Sequence, residues 1–96
     1  MDKIKFNIGY NQVFINNREI KLSIHQYKIL LFIVSKRRLT TIDEIRQEFY
    51  DEWQTKKSIG EQIRKINKFA KQRILINKRE AGYRLREGIE IVVEKG

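Results

Sequence analysis

Between Ser23 and Glu61 the chain repeats one short spacing three times. A hydroxyl residue is followed three positions later by Gln or Glu, at Ser23/Gln26, Thr41/Glu44 and Ser58/Glu61. In that spacing each side chain satisfies a backbone N–H of the other's residue at a helix start. Each pair also opens a segment with helical apolar spacing. After Ser23, Tyr27, Leu30, Leu31 and Val34 fall at i, i+3, i+4 and i+7, and Ile29, Phe32 and Ile33 widen the stripe almost round the helix, which marks the most buried element. After Thr41, Ile42, Ile45 and Phe49 face inward. After Ser58, Ile59, Ile63, Ile66 and Ala70 form one stripe with Phe69 flanking it, in a helix expected to run through Arg73. Three helices with three start signals restrict the chain to a small helical core. Lys36, Arg37 and Arg38 end the first helix, where cations complement the dipole; that plain role outweighs a phosphate clamp.

Strands are expected on either side of this core. Ile4, Phe6 and Ile8 alternate with polar residues over Lys3 to Ile8, Gly9-Tyr10-Asn11 turns the chain, and Gln12 to Ile15 and Arg18 to Leu22 flank Asn16-Asn17. Asparagine tolerates the left-handed backbone of a two-residue hairpin loop. Residues 1–22 therefore read as a small antiparallel sheet. Leu39-Thr40 is a short extended link. Beyond the third helix, Ile74-Leu75-Ile76 and Tyr83-Arg84-Leu85 read as a hairpin whose tip holds Lys78 and Arg79. After Gly88, Ile89 to Val93 regains strand character; its plain role is to extend a sheet, and an exposed edge there could equally join two subunits. At 96 residues, with no proline-rich linker, repeat or low-complexity tail, one domain is expected over 1–96: an N-terminal sheet (1–22), a three-helix core (23–73), and a wing hairpin with a C-terminal strand (74–96).

Charge narrows the partner. From Lys56 to Arg86 there are eleven Lys or Arg against Glu61 and Glu80, so this third of the chain carries the whole net charge of +9. A cationic field so concentrated attracts a polyanion. The third helix turns Lys57, Glu61, Arg64, Lys65 and Lys68 away from its apolar stripe, with Gln62 and Asn67 on the shoulders. A lipid-binding helix needs its apolar stripe exposed, whereas this one is needed in the core, and Arg, Asn and Gln pair with base edges. Duplex DNA is therefore favoured over membrane. The second helix is acidic, with Asp43, Glu44, Glu48, Asp51 and Glu52 against Arg46, and should not lie along phosphates; dipole pairing and solubility explain it first, docking of a basic partner second. The only tryptophan, Trp53, is by default a core residue, and if exposed a partner-binding anchor beside Glu52.

The order strands, helix, short strand, helix, loop, basic helix, hairpin resembles the winged helix-turn-helix effector domain of OmpR/PhoB-type response regulators over nearly the whole chain. Ile63-Arg64-Lys65-Ile66 and, one wing later, Gly82-Tyr83-Arg84-Leu85 carry the resemblance, and Ile20-Lys21-Leu22-Ser23 precedes the first helix much as that family's sheet does. The resemblance implies an α+β winged helix whose third helix enters the major groove while the wing touches the adjacent minor groove or backbone. It implies that Gln62, Arg64, Lys65 and Asn67 face bases and phosphates, with Arg79 as the wing contact; Lys56, Lys57, Ser58, Lys68 and Lys78 complete the expected DNA surface. In that family the loop before the third helix can engage RNA polymerase, which here falls at Glu52 to Lys57. Four features depart from the family: no receiver domain, so no phosphorylation control within this chain; a shorter helix-two loop; Asn67 where arginine is common; and the extra Ile89 to Val93 segment.

The function expected is a cytoplasmic, sequence-specific transcriptional regulator on double-stranded DNA, with two copies acting together because one small monomer reads few bases. Phosphate contacts from Lys56, Lys57, Lys68 and Arg79 would set position, and Gln62, Arg64 and Asn67 would discriminate bases. Two rivals are a protein-interaction module of mobile-element type, carried by helix two and Trp53, and an architectural DNA binder indifferent to sequence. An enzyme is the weakest reading. There is no cysteine, no Gly-rich phosphate loop, and one histidine, His25, with no nucleophile beside it, so neither cofactor nor metal is expected. No apolar run reaches membrane-spanning length.

Overall fold

In the computed structural model, which describes residues 2–49, 56–78 and 81–95, seven strands and three α-helices follow in the order β1 (Asp2–Asn7), β2 (Gln12–Ile15), β3 (Arg18–Ile20), α1 (Ile24–Lys36), β4 (Thr40–Thr41), α2 (Ile42–Glu48), α3 (Lys56–Ala70), β5 (Leu75–Asn77), β6 (Gly82–Leu85) and β7 (Ile89–Glu94). A 3-10 turn over Ile8–Tyr10 separates β1 from β2. That turn takes Ile8 out of the strand, so it does not join Ile4 and Phe6 in the core as its alternation suggests, and it is exposed. Asn16 and Asn17, both with positive φ (50° and 69°), make the tight β2–β3 turn.

Two sheets sandwich the helices. The first has order β3-β2-β1-β7 and the second β4-β6-β5. The N-terminal sheet is antiparallel through β1–β3 but mixed once β7 is added, because β7 lies parallel to β1 with Ile4 opposite Ile91 and Phe6 opposite Val93. Thus the segment after Gly88 extends the first sheet and not the wing. β6 pairs on one side with β5, Leu75 opposite Leu85, and on the other with β4, Thr40 opposite Tyr83, so the short link after α1 becomes part of the wing sheet.

α1 occupies the centre. Tyr27 meets the edge of Phe6 at 6.1 Å between ring centroids on the sheet side, while the helix also touches α3 and β6. Ile29 and Leu30 are fully buried; Leu31 and Phe32 are only half-buried, because a stripe so wide cannot all face inward. Both helix-start signals at Ser23/Gln26 and Thr41/Glu44 are complete capping boxes. The third is not one. α3 begins at Lys56, so Ser58 and Glu61 lie inside the helix, where Ser58 lacks the extended backbone of a cap. The helix also stops earlier than its charge pattern suggests. Lys71 adopts φ 59°, its N–H donates to the Lys68 carbonyl and the Gln72 N–H to that of Asn67, which is a Schellman ending after Ala70. Arg37 ends α1 in the same left-handed conformation.

Candidate nucleic-acid interface

α3 is an amphipathic rod whose apolar edge, Ile59, Ile63, Ile66 and Ala70, is buried. Three polar ties fix its rotation and pitch. Gln62 Oε1 accepts from the buried Gln26 side chain of α1 at 3.1 Å. Asn67 Oδ1 accepts from the backbone N–H groups of Ile74 (2.9 Å) and Leu75 (3.0 Å), while its Nδ2 donates to the Leu75 carbonyl at 3.0 Å. The Arg18 guanidinium, from the β2–β3 hairpin, donates to the Ala70 carbonyl at 3.2 Å and meets the negative end of the helix dipole. α3 is thereby tied to α1, to the wing and to the first sheet.

These bonds engage Gln62 and Asn67 inside the protein, where contacts to bases were expected of them. Bidentate reading of adenine needs both the carbonyl and the NH₂ of an amide. Asn67 has both oxygen lone pairs and one N–H engaged by the wing strand, and the Gln62 carbonyl is held by Gln26. Both side chains are half-buried and serve the placement of the helix. Sequence reasoning missed this because an amide on a helix shoulder has the same spacing whether it points to solvent or to a neighbouring strand.

Arg64, Lys65 and Lys68 are exposed, and among the described residues no carboxylate lies within ion-pair distance of them. They divide along the rod. Arg64 lines an open cleft of about 500 Å³ between α3 and the wing, shared with Arg73, Asn77 and Tyr83. Lys65 and Lys68 line a second, somewhat smaller depression towards the start of α1, with Lys21, Ser23 and Phe69. Phe69 is 46% exposed there and does not join the core, since it sits at the margin of the stripe. Two cations absent from the expected surface, Arg73 and Lys21, line the same depressions. Arg73 escapes notice in the sequence because α3 was expected to continue through it; the early Schellman ending brings it round to the cleft. Lys21 escapes because it lies 44 residues before Lys65.

Not every cation of the basic third is available. Arg84 pairs with Glu87 at 3.1 Å, and Arg86 binds the Asp2 carboxylate and Gln72, which draws β1 to the end of α3. Asn16 and Arg86 together hold the Asp2 carboxyl below its ordinary range. Lys78 is exposed at the wing, where its N–H donates to the Gly82 carbonyl at 2.9 Å and its carbonyl accepts from Ala81 at 2.8 Å. Arg79, Glu52 and Trp53 lie outside the described residues, as do the side chains of Lys56 and Lys57; Ser58 is half-buried in the first turn of α3.

The wing root is set by backbone proximity. A Cβ at Gly82 would stand 2.1 Å from the Thr40 carbonyl oxygen and 2.8 Å from Thr41 Cα, so only glycine lets β4 close on β6. Next to it, Tyr83 is buried and burial pushes its phenol pKa up, with the hydroxyl 3.5 Å from where a Cβ at Gly60 of α3 would be. At the far side, Arg38 forms a two-pronged pair with Glu44 (3.0 and 2.8 Å), which links the end of α1 to the start of α2. Arg38 and the Thr41 backbone N–H hold the Glu44 carboxyl down to about 2. Among the described residues no group of His, Asp and Glu could hold a metal ion, and no helix is long and apolar enough to cross a membrane.

No family model and no curated protein matches the chain. Among solved structures, it is similar to the DNA-binding domain of the response regulator AdeR, determined in complex with an intercistronic region, with a TM-score of 0.76, 23% identity, and coverage of 88% of this chain and 94% of that one. At that identity the likeness establishes the fold. The chain is a winged helix-turn-helix of the α+β class, with α3 in the place of the third helix and β5–β6 as the wing.

Proposed function

We propose that this protein is a sequence-specific regulator that binds double-stranded DNA, with α3 in the major groove and the β5–β6 wing on the adjacent minor groove or backbone. One observation carries the reading: Arg64, Lys65 and Lys68 project from the solvent face of a helix whose rotation is fixed on three sides, beside a hairpin, with no acidic partner among the described residues. Fixed donors on a rigid rod are what base recognition requires, whereas attraction to charge alone needs no such fixing. A protein of the same fold was determined with an intercistronic region bound, which favours the same class of ligand here.

In this reading Arg64 addresses base edges from the wing side of the rod. Lys65, Lys68, Arg73, Lys78 and Lys21 contact phosphates, joined by Lys56, Lys57, Ser58 and Arg79. Gln62 and Asn67 hold the helix. One bidentate arginine gives roughly 1–3 kcal/mol of discrimination, so a useful site takes two copies of the protein. Control of transcription in the cytoplasm, with the 52–57 segment touching RNA polymerase, completes the proposal.

Selection of bound sites from random duplexes at physiological salt is the test. Recovery of a shared motif, with Arg64→Ala relaxing the preference at one or two positions, supports the reading. Binding that ignores sequence and vanishes steeply with salt would leave an architectural role instead.

A further inference from the structure

We infer that β7 is a self-association edge, through which two copies pair antiparallel about a two-fold axis to make one continuous eight-stranded sheet. β7 is the outermost strand of the first sheet, six residues long, and its far side carries no partner among the described residues. An edge six residues long presents a row of free N–H and C=O groups; Glu90 and Glu94 put charge on its outer face, while its inner row is apolar. Here the inward row Ile89, Ile91 and Val93 continues the buried row of β1, and Ile89 and Ile91 are only partly covered. Exposed apolar surface also gathers at this edge. Of the five large apolar side chains that are exposed among the described residues, Val93 (46%), Ile8 (40%) and Tyr10 (70%) lie on β7 or on the 3-10 turn touching it.

The partner that fits is a second copy, because the strand is complementary to itself in one register. A two-fold axis perpendicular to the sheet requires the pairing to centre on a residue, so that facing side chains share a face. Centred on Glu90 or on Val92, the pairing sets Glu90 against Glu90 or against Glu94 of the second copy, a like-charge contact across the strands. Centred on Ile89, it joins only the first residue of each strand; centred on Glu94, it sets Glu94 on Glu94; and centred on Val93, it sets Lys95 against the apolar Ile91. Centred on Ile91, it sets Ile91 on Ile91 and Ile89 on Val93 twice, and it places no two like charges opposite each other within the strand. The inward row then runs unbroken from one copy into the other. Formation of this pair does not depend on DNA. Its consequence does rest on the proposed function: two α3 helices related by a two-fold axis read an inverted repeat, where a head-to-tail pair reads a direct one.

The chain has no cysteine, so single-cysteine variants report the register without background. Facing Cβ atoms stand about 4.5–5.5 Å apart across an antiparallel pair. Ile91→Cys should therefore give an oxidised dimer of the full chain, and an equimolar mixture of Ile89→Cys and Val93→Cys should cross-link. Val93→Cys alone should not, since its copies lie four residues out of step, about 13 Å apart. Sedimentation at micromolar concentration should show a dimer for the unmodified chain and at least a tenfold weaker dimer for Val93→Lys, whose side chain is exposed in the single chain. A monomer throughout the micromolar range, or equal cross-linking at 91 and 93, overturns the pairing. A dimer that cross-links as stated but selects no DNA motif supports the pairing and counts against the regulator reading alone.

Discussion

The side chain of Asn67 brackets the backbone of Leu75, taking its N–H and giving to its carbonyl, each at 3.0 Å. One amide thus copies the hydrogen-bond pattern of a neighbouring strand and ties the last turn of α3 to the first residue of the wing. Asn67→Ala leaves two backbone donors and a carbonyl unpaired in a part-buried place, and should cost about 2 kcal/mol of stability. Asn67→Asp keeps the two accepted bonds but sets a carboxylate oxygen against the Leu75 carbonyl, so it should cost at least as much. Urea unfolding of the three proteins checks the order; equal midpoints would mean that solvent serves these groups equally well.

Under the proposed function, the same bond separates holding from reading on α3. Arg64→Ala should flatten base preference at one position by about 1–3 kcal/mol. Lys68→Ala should weaken all sequences alike and lower the salt slope by about 0.9. Gln62→Ala should do neither to the preference, and instead lower thermal stability, as its contact is with Gln26. A shift in the selected motif with Gln62→Ala would return that residue to the bases.

Two glycines should respond in opposite directions. Gly60 lies within α3, and an added Cβ meets only the Tyr83 hydroxyl at 3.5 Å, an ordinary contact. Gly60→Ala should stabilise the protein by about 0.5–1 kcal/mol through helix propensity. Gly82→Ala drives a Cβ into the Thr40 carbonyl and should cost about 3 kcal/mol, with loss of the β4–β6 pairing. Thermal melts of both variants decide this.

Acid should weaken the α1–α2 junction in a defined window. Glu44 is held at about 2 in the folded protein, chiefly by Arg38 and then by the Thr41 backbone, against an ordinary value of 4.5. A depressed carboxyl contributes stability that is present above the unfolded value and is lost as pH falls towards the folded one. The advantage of the unmodified protein over Glu44→Gln should be full above pH 4.5 and shrink to nothing near pH 2. Both residues are on the surface, so the difference is small and falls with salt. A difference that is constant from pH 7 to pH 2.5 would assign it to the capping geometry instead of the charge.

Where sequence and structure agree, local chemistry and burial act together. Ser23/Gln26 and Thr41/Glu44 begin helices because the cap and the apolar period start at the same place. Ser58/Glu61 has the spacing without the role, since α3 already runs from Lys56, and a spacing is blind to the backbone that precedes it. The edge Ile59, Ile63, Ile66 and Ala70 was legible as core, and the outward Arg64, Lys65 and Lys68 as surface, because both follow from helical geometry alone. Three things were not legible. Capture of Asn67 by Leu75 depends on where another strand passes. The turn at Lys71 that sends Arg73 into the cleft depends on a left-handed residue that is not glycine or asparagine. The parallel docking of β7 on β1 is a pairing across more than eighty residues, which no short-range pattern encodes.

That last pairing also constrains how the domain is made. During synthesis the residues of β1 leave the ribosome long before those of β7, so until residues 89–94 emerge one border of Ile4 and Phe6 is left bare. The nascent domain must wait with that border uncovered, and the final strand acts as the fastener that ends its exposure to chaperones and proteases.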